Sequence, residues 1–253
     1  LIVGSNPRRE APILNARIRK RWLRGDFKVS LIGEKADLTY PYDYLGAGPE
    51  TLAEVVKSAQ AGGGKPMVLV GQGALGRADG EAVLSLAAKA AQALGAVTEG
   101  WNGFGVIHTA AARVGALDLG FVPGEGGLDA AAMVKPGALD LLFLLGADEI
   151  EVPEGAFVIY QGTHGDKGAH RADVILPGAA YTEKSGTYVN TEGRVQMGDR
   201  AAFPPGDARE DWAILRALSG HLGKTLPFDS LAGLRRALYE AYPQFAAIDG
   251  LPA

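Results

Sequence analysis

The sequence predicts a doubly wound α/β fold with mainly parallel sheets and a C-terminal helical pair. Three observations carry the expectation: short, continuously apolar runs rich in β-branched residues, amphipathic helical patterns between them, and turn residues at each change of period. LIVGS (1–5) reads as the first strand, and residues 10–24 follow with helical spacing. VSLIG closes a strand over 27–32, a helix is expected over 49–60, PMVLVG gives a strand over 66–71, and a helix fills 79–94. Residues 104–117 read as a further helix, followed by a Gly-rich stretch at 120–127. Strands resume with LDLLFLLG (139–146), AFVIYQG (156–162) and DVILPG (173–178). Two helices end the pattern. Asp207 and Glu210 form the capping-box spacing for the first, whose stripe is Trp212, Leu215, Leu218 and Leu222. The second runs from Asp229 to Pro243 with Leu231, Leu234, Leu238 and Tyr242 on one face. The Gly62-Gly63-Gly64 run is the best internal boundary.

Composition removes several function classes. With 253 residues and a formal charge of −4, the chain has no global basic field to hold nucleic acid. No apolar stretch is long enough for a membrane-spanning helix. The absence of cysteine excludes disulfides, thiolate nucleophiles and thiolate-held zinc or iron–sulfur clusters in this segment. The opening strand without an initiator Met or a leader pattern reads as a fragment of a longer chain. Charge is unevenly spread: residues 1–24 hold seven basic side chains against Glu10 alone. Arg17, Lys20, Arg21 and Arg24 share one helical face, with Ala11, Leu14, Ile18 and Trp22 on another. A solvated face and contact with an acidic protein are the main readings; phosphate binding is the third.

Gly71, Gly73 and Gly76 form a G-x-G-x-x-G run between a strand and a helix, with Glu99 farther on, the spacing of a dinucleotide fingerprint. Such a turn needs the positive end of a helix free for pyrophosphate, and Asp79 and Glu81 open this helix with two carboxylates. A plain strand-to-helix turn competes with NAD binding. Hydrolase and dehydrogenase patterns fit poorly: Tyr181 and Lys184 stand three apart rather than four, and no nucleophile elbow is present. His164, His170, Asp166 and Asp173 share one loop and form a conceivable metal set, with loop hydrogen bonding as the alternative.

The stretch 172–196, ADVILPGAAYTEKSGTYVNTEGRVQ, places Thr187, Asn190 and Arg194 after the carboxyl end of a strand. Polar residues there either line a pocket or satisfy a tight turn or β-hairpin. With PPGDAREDWAILRALSGHLG and the opening LIVGSNPRREAPILNARIRKRWL, this stretch resembles the molybdopterin oxidoreductase superfamily. NARIRKRWL (15–23), ADLTYPYDYLG (36–46) and the segment 159–193 are most similar to the family of the G subunit, or 75 kDa iron–sulfur subunit, of respiratory complex I.

That resemblance implies a scaffold without redox chemistry of its own in NADH:quinone oxidoreductase. It implies [2Fe-2S] and [4Fe-4S] clusters in an amino-terminal part not included in this chain, and hydrophilic-arm subunits as partners. It implies no nucleic acid and no direct membrane insertion, and a peripheral place on the cytoplasmic or matrix side of a membrane. The superfamily plan makes residues 1–62 the end of an inserted Rossmann-like domain and 65–253 a second α/β domain. No catalytic or metal residue is expected, and Asn6, Thr187, Asn190 and Arg194 are the candidates for a vestigial cofactor cleft. The alternative is a fragment of a molybdenum or tungsten bis-pterin oxidoreductase, in which the same residues would line a living cleft; a free NAD-dependent dehydrogenase is the more distant one.

Overall fold

The computed structural model describes residues 1–111, 113–152 and 154–250, in two compact units, Leu1–Arg113 and Val114–Ala253. The first unit contains β1 (Ile2–Val3), α1 (Pro7–Glu10), α2 (Pro12–Trp22), β2 (Ser30–Ile32), β3 (Asp43–Gly46) and α3 (Pro49–Ser58). It continues with β4 (Val68–Val70), α4 (Gln72–Leu75), α5 (Gly80–Ala93), β5 (Val97–Thr98), β6 (Trp101–Asn102) and β7 (Phe104–Val106). β5 and β6 form a small antiparallel ladder; the other strands form one parallel sheet in the order β3-β2-β1-β4-β7.

Alternation along these strands explains the two-sided winding. Ile2 pairs with Leu31 and Leu69, and Val3 with Ile32 and Val70, so each register row offers one apolar layer. Ile2 and Leu31 pack with Ile18 and Trp22 of α2. Val3, Ile32, Val68 and Val70 pack with Leu52 of α3 and Val83, Ala87, Ala90 and Ala91 of α5. The expected α/β class with parallel sheets is therefore observed.

Several boundaries differ from expectation. The helix expected over 10–24 is two helices, because a residue before proline is driven from the α region: Ala11 has φ −147 ahead of Pro12. Residues 104–106 are strand β7, bonded to β4, and helix α6 starts only at Arg113 (Arg113–Asp118); Ala112 lies outside the described residues. The Gly62-Gly63-Gly64 run separates no units, since β4 beyond it pairs directly with β1 before it.

The second unit adds α7 (Ala130–Met133), β8 (Leu141–Leu145), β9 (Phe157–Gly162), α8 (Lys167–Arg171), β10 (Val174–Pro177) and the hairpin β11 (Gly186–Val189) and β12 (Val195–Gly198). It closes with α9 (Asp211–His221) and α10 (Leu231–Ala241). β10-β9-β8 is a parallel sheet whose Leu142, Leu144, Val158 and Tyr160 form a core, whereas Leu141 and Phe157 on its other face are 52% and 46% exposed. Asp207 does not cap α9; Glu210 is the N-cap residue, and its carboxylate accepts from the Trp212 indole N–H at 2.6 Å rather than from a backbone N–H of the helix. Leu222 is 69% exposed and leaves the expected stripe, while Leu238 and Tyr242 pack on Val189, Val195 and Phe245.

Candidate functional site at the end of the first sheet

In a parallel sheet the strand order reverses beside the first strand, and ligands sit outside the carboxyl ends at that switch point. Here the switch lies between β1 and β4, and a cleft of about 660 Å³ opens there. Its walls include Gly4, Ser5 and Asn6 after β1, Gly33–Asp37 after β2, and Gly73, Ala74 and Arg77 after β4. Gly4 has φ +58, and a Cβ on it would stand 2.5 Å from Ala74 Cβ. The Asn6 N–H donates to Glu10 Oε1 at 2.6 Å, and the Ser5 hydroxyl donates to Glu10 Oε2 at 3.0 Å. Asn6 Oδ1 is buried and has no partner among the described residues. At the rim, Asp37 accepts from the Thr39 N–H and from Arg8, and these bonds hold its carboxyl below the usual carboxylate range.

The Gly71-x-Gly73-x-x-Gly76 turn has a packing explanation. A Cβ at Gly71 would lie 2.4 Å from Ser5 Cβ, and one at Gly73 would lie 2.8 Å from the Gly4 carbonyl oxygen. The two glycines let the turns after β1 and β4 touch each other. The helix that follows spans only Gln72–Leu75, and α5 begins at Gly80. Asp79 is the N-cap residue of α5, but its side chain makes no capping bond; Arg77 holds it through Nε at 2.6 Å and a second nitrogen at 2.9 Å, which lowers the Asp79 pKa.

The family model described as molybdopterin oxidoreductase matches residues 1–221. The chain belongs to the molybdopterin oxidoreductase family. Among curated relatives, the mitochondrial NADH-ubiquinone oxidoreductase 78 kDa subunits of Neurospora crassa and Candida albicans are each 45% identical over 98% of the chain, covering 34% and 35% of those proteins. The NADH-ubiquinone oxidoreductase 75 kDa subunit of Reclinomonas americana is 41% identical over 99% of the chain and 37% of its own length. The chain thus spans about a third of the length of these relatives. Among solved structures, the formyltransferase/hydrolase complex of Methylorubrum extorquens, in complex with methylofuran, superposes with a TM-score of 0.52. It is 14% identical, covering 82% of this chain and 70% of that chain, and shows the fold alone.

Within this member of the molybdopterin oxidoreductase family, the four cleft candidates are divided. Asn6 lies in the first unit, at the cleft; Thr187, Asn190 and Arg194 lie in the second, on the hairpin β11–β12 and its turn. There, Asn190 Oδ1 accepts the N–H groups of Glu192 at 2.9 Å and Arg194 at 3.0 Å, which builds the turn. The Arg194 guanidinium donates to the Asp249 carbonyl, and the Thr187 hydroxyl lies 3.4 Å from Met197 Sδ. Of the two readings of this stretch, satisfaction of a tight hairpin accounts for these bonds.

The segment His164–Asp173, expected as an irregular loop, contains helix α8, and its carboxylates are bonded to β9. Asp166 accepts the Tyr160 hydroxyl at 2.6 Å, Asp173 accepts the Val158 N–H at 2.7 Å, and His164 Nδ1 faces the Thr163 hydroxyl at 2.8 Å. Two groups escaped the sequence reading. Glu10 counted there only as a charge, although its place four residues after Asn6 suits a return to that backbone N–H. Gln161 is fully buried at the end of β9 and donates to Asp211, which also holds Lys184. A glutamine inside an apolar strand carries no pattern that announces such a partner 50 residues away.

Proposed function

We propose that this chain is the part of the large iron–sulfur subunit of NADH-ubiquinone oxidoreductase, respiratory complex I, that supports electron transfer without carrying it. The observation behind the reading is the 45% identity over 98% of the chain to 78 kDa subunits about three times its length. Lack of cysteine supports it, because thiolate ligands for [2Fe-2S] and [4Fe-4S] clusters then come from other parts of the subunit. The chain's work is to present surfaces to hydrophilic-arm neighbours and to hold the cluster-bearing segments in place. No helix among the described residues is long and apolar enough to cross a membrane, which suits attachment on the matrix or cytoplasmic side through other subunits.

Helix α2 supplies one such surface. Arg21 is occupied within its own unit, donating to the Gly25 carbonyl at 2.7 Å and stacking 4.9 Å from the Phe27 ring centroid; Arg19 donates to the Thr39 carbonyl. Lys20 on α2 and Arg24 in the turn after it are exposed and supply the basic charge for an acidic partner.

Purification of the native full-length protein from mild-detergent membranes, with mass spectrometry of its companions and metal counting on the same sample, tests the reading. Flavin-arm and quinone-arm subunits with iron and no molybdenum are expected. A soluble protein with molybdenum and pterin would overturn it. Lys20→Glu with Arg24→Glu should weaken retention of the companions, and unchanged retention would remove α2 from the interface.

A further inference from the structure

A pterin cofactor of the kind that gives the family its name carries phosphate. In parallel α/β sheets such groups rest at the switch point, on the N–H and hydroxyl donors of the turn after the first strand. In this chain those donors are occupied. The Asn6 N–H and the Ser5 hydroxyl each hold one oxygen of the Glu10 carboxylate, at 2.6 and 3.0 Å, as two donors would hold two oxygens of a phosphate. The neighbouring turn offers no alternative, because the space above Gly71 and Gly73 is filled by Ser5 and Gly4. The residues present do not fit a phosphate-bearing group.

We propose that Glu10 is a built-in occupant of the anion position: with its carboxylate in place the cleft turns away phosphate-bearing ligands, and it admits them once that carboxylate is removed. The proposal does not depend on which assembly the chain serves. An entering phosphate would meet a like charge in contact with the same donors, while losing both hydrogen bonds to it. The remaining charged groups of the cleft do not themselves exclude an anion. Arg9, Lys35 and Arg77 line it beside Glu34 and Asp37, and Asp37 is paired with Arg8. Asn6 Oδ1, an acceptor, adds nothing to phosphate affinity.

The same geometry is also that of a helix cap, a side chain returning to the N–H that precedes α1. Cap and occupant differ in one consequence. Loss of a cap lowers stability and changes no affinity, whereas loss of an occupant opens a site.

The discriminating experiment is calorimetric titration of inorganic pyrophosphate into the full protein in its native form and as Glu10→Ala and Glu10→Gln, with melting curves on each. Both variants should bind pyrophosphate at least roughly tenfold more tightly than the native protein, which should show no saturable binding at millimolar ligand. Glu10→Gln keeps an acceptor for the Asn6 N–H while losing the charge and the second acceptor oxygen, so it carries the test if Glu10→Ala fails to fold. Folded variants with no gain in binding would reduce Glu10 to a cap and overturn the proposal. Pyrophosphate binding by the native protein, seen as shifts of the Gly4–Asn6 amide resonances, would overturn it as well.

Discussion

At Gly71 the missing side chain is what allows two turns to meet. A methyl group there would fall 2.4 Å from Ser5 Cβ and 2.6 Å from the Gly4 carbonyl, neither of which is a flexible chain end. Gly71→Ala should therefore cost about 1–3 kcal/mol in chemical denaturation with no nucleotide present. Gly62→Ala, where a Cβ meets nothing within 4 Å, should be neutral or slightly stabilising. Equal effects would mean the motif's glycines serve something other than packing. A second residue-scale case is Tyr40, whose hydroxyl donates to Asn15 Oδ1 at 2.8 Å while Asn15 Nδ2 donates to the Leu38 carbonyl at 3.0 Å. Burial pushes the Tyr40 phenol up to about 12 from an ordinary 10. The unfolded chain then loses its proton first, so stability is full below pH 10 and falls as pH rises toward 12. Tyr40→Phe should flatten that part of the stability profile, measured by denaturant midpoints across the alkaline range.

At the scale of elements, caps separate sequence pattern from physical role. Ser230 accepts the Gly233 N–H at 3.1 Å and starts α10, so Ser230→Ala should cost about 1 kcal/mol. Asp207, which has the capping-box spacing to Glu210, caps nothing, and Asp207→Ala should leave the melting temperature nearly unchanged. The elements legible in advance were β1, β2, β4, β8, β9 and β10 and the helices α3, α5, α9 and α10, all of which form within a few residues of the expected bounds. β3 gave no signal because Asp43, Tyr44 and Leu45 are all exposed on an edge, leaving no alternation to read. β7 was hidden by the Ala-rich sequence after it, which has helical character, whereas Phe104–Val106 owes its conformation to β4, some 36 residues earlier in the chain. The candidate site divides in the same way. Asn6 was legible only through the family resemblance of the opening segment. The role of Glu10 was not, because it is created when α1 folds back on that turn.

For the molecule as a whole, composition and rhythm sufficed for the class of fold but not for its partition. The glycine run at 62–64 looks like a seam, yet the sheet crosses it, and the two compact units divide at 113/114 instead. Strand pairing is a long-range property that local composition does not encode. The order β3-β2-β1-β4-β7 has a further consequence in time. The central strand comes first in this segment, and its second neighbour lies 67 residues later, Leu69 opposite Ile2. At about 5–20 residues per second of synthesis, about 3–13 seconds pass before Ile2 and Val3 are paired on both edges. During translation, the future middle of the sheet is thus its most vulnerable edge, and chaperone occupancy on nascent chains should fall once Val70 has cleared the ribosome.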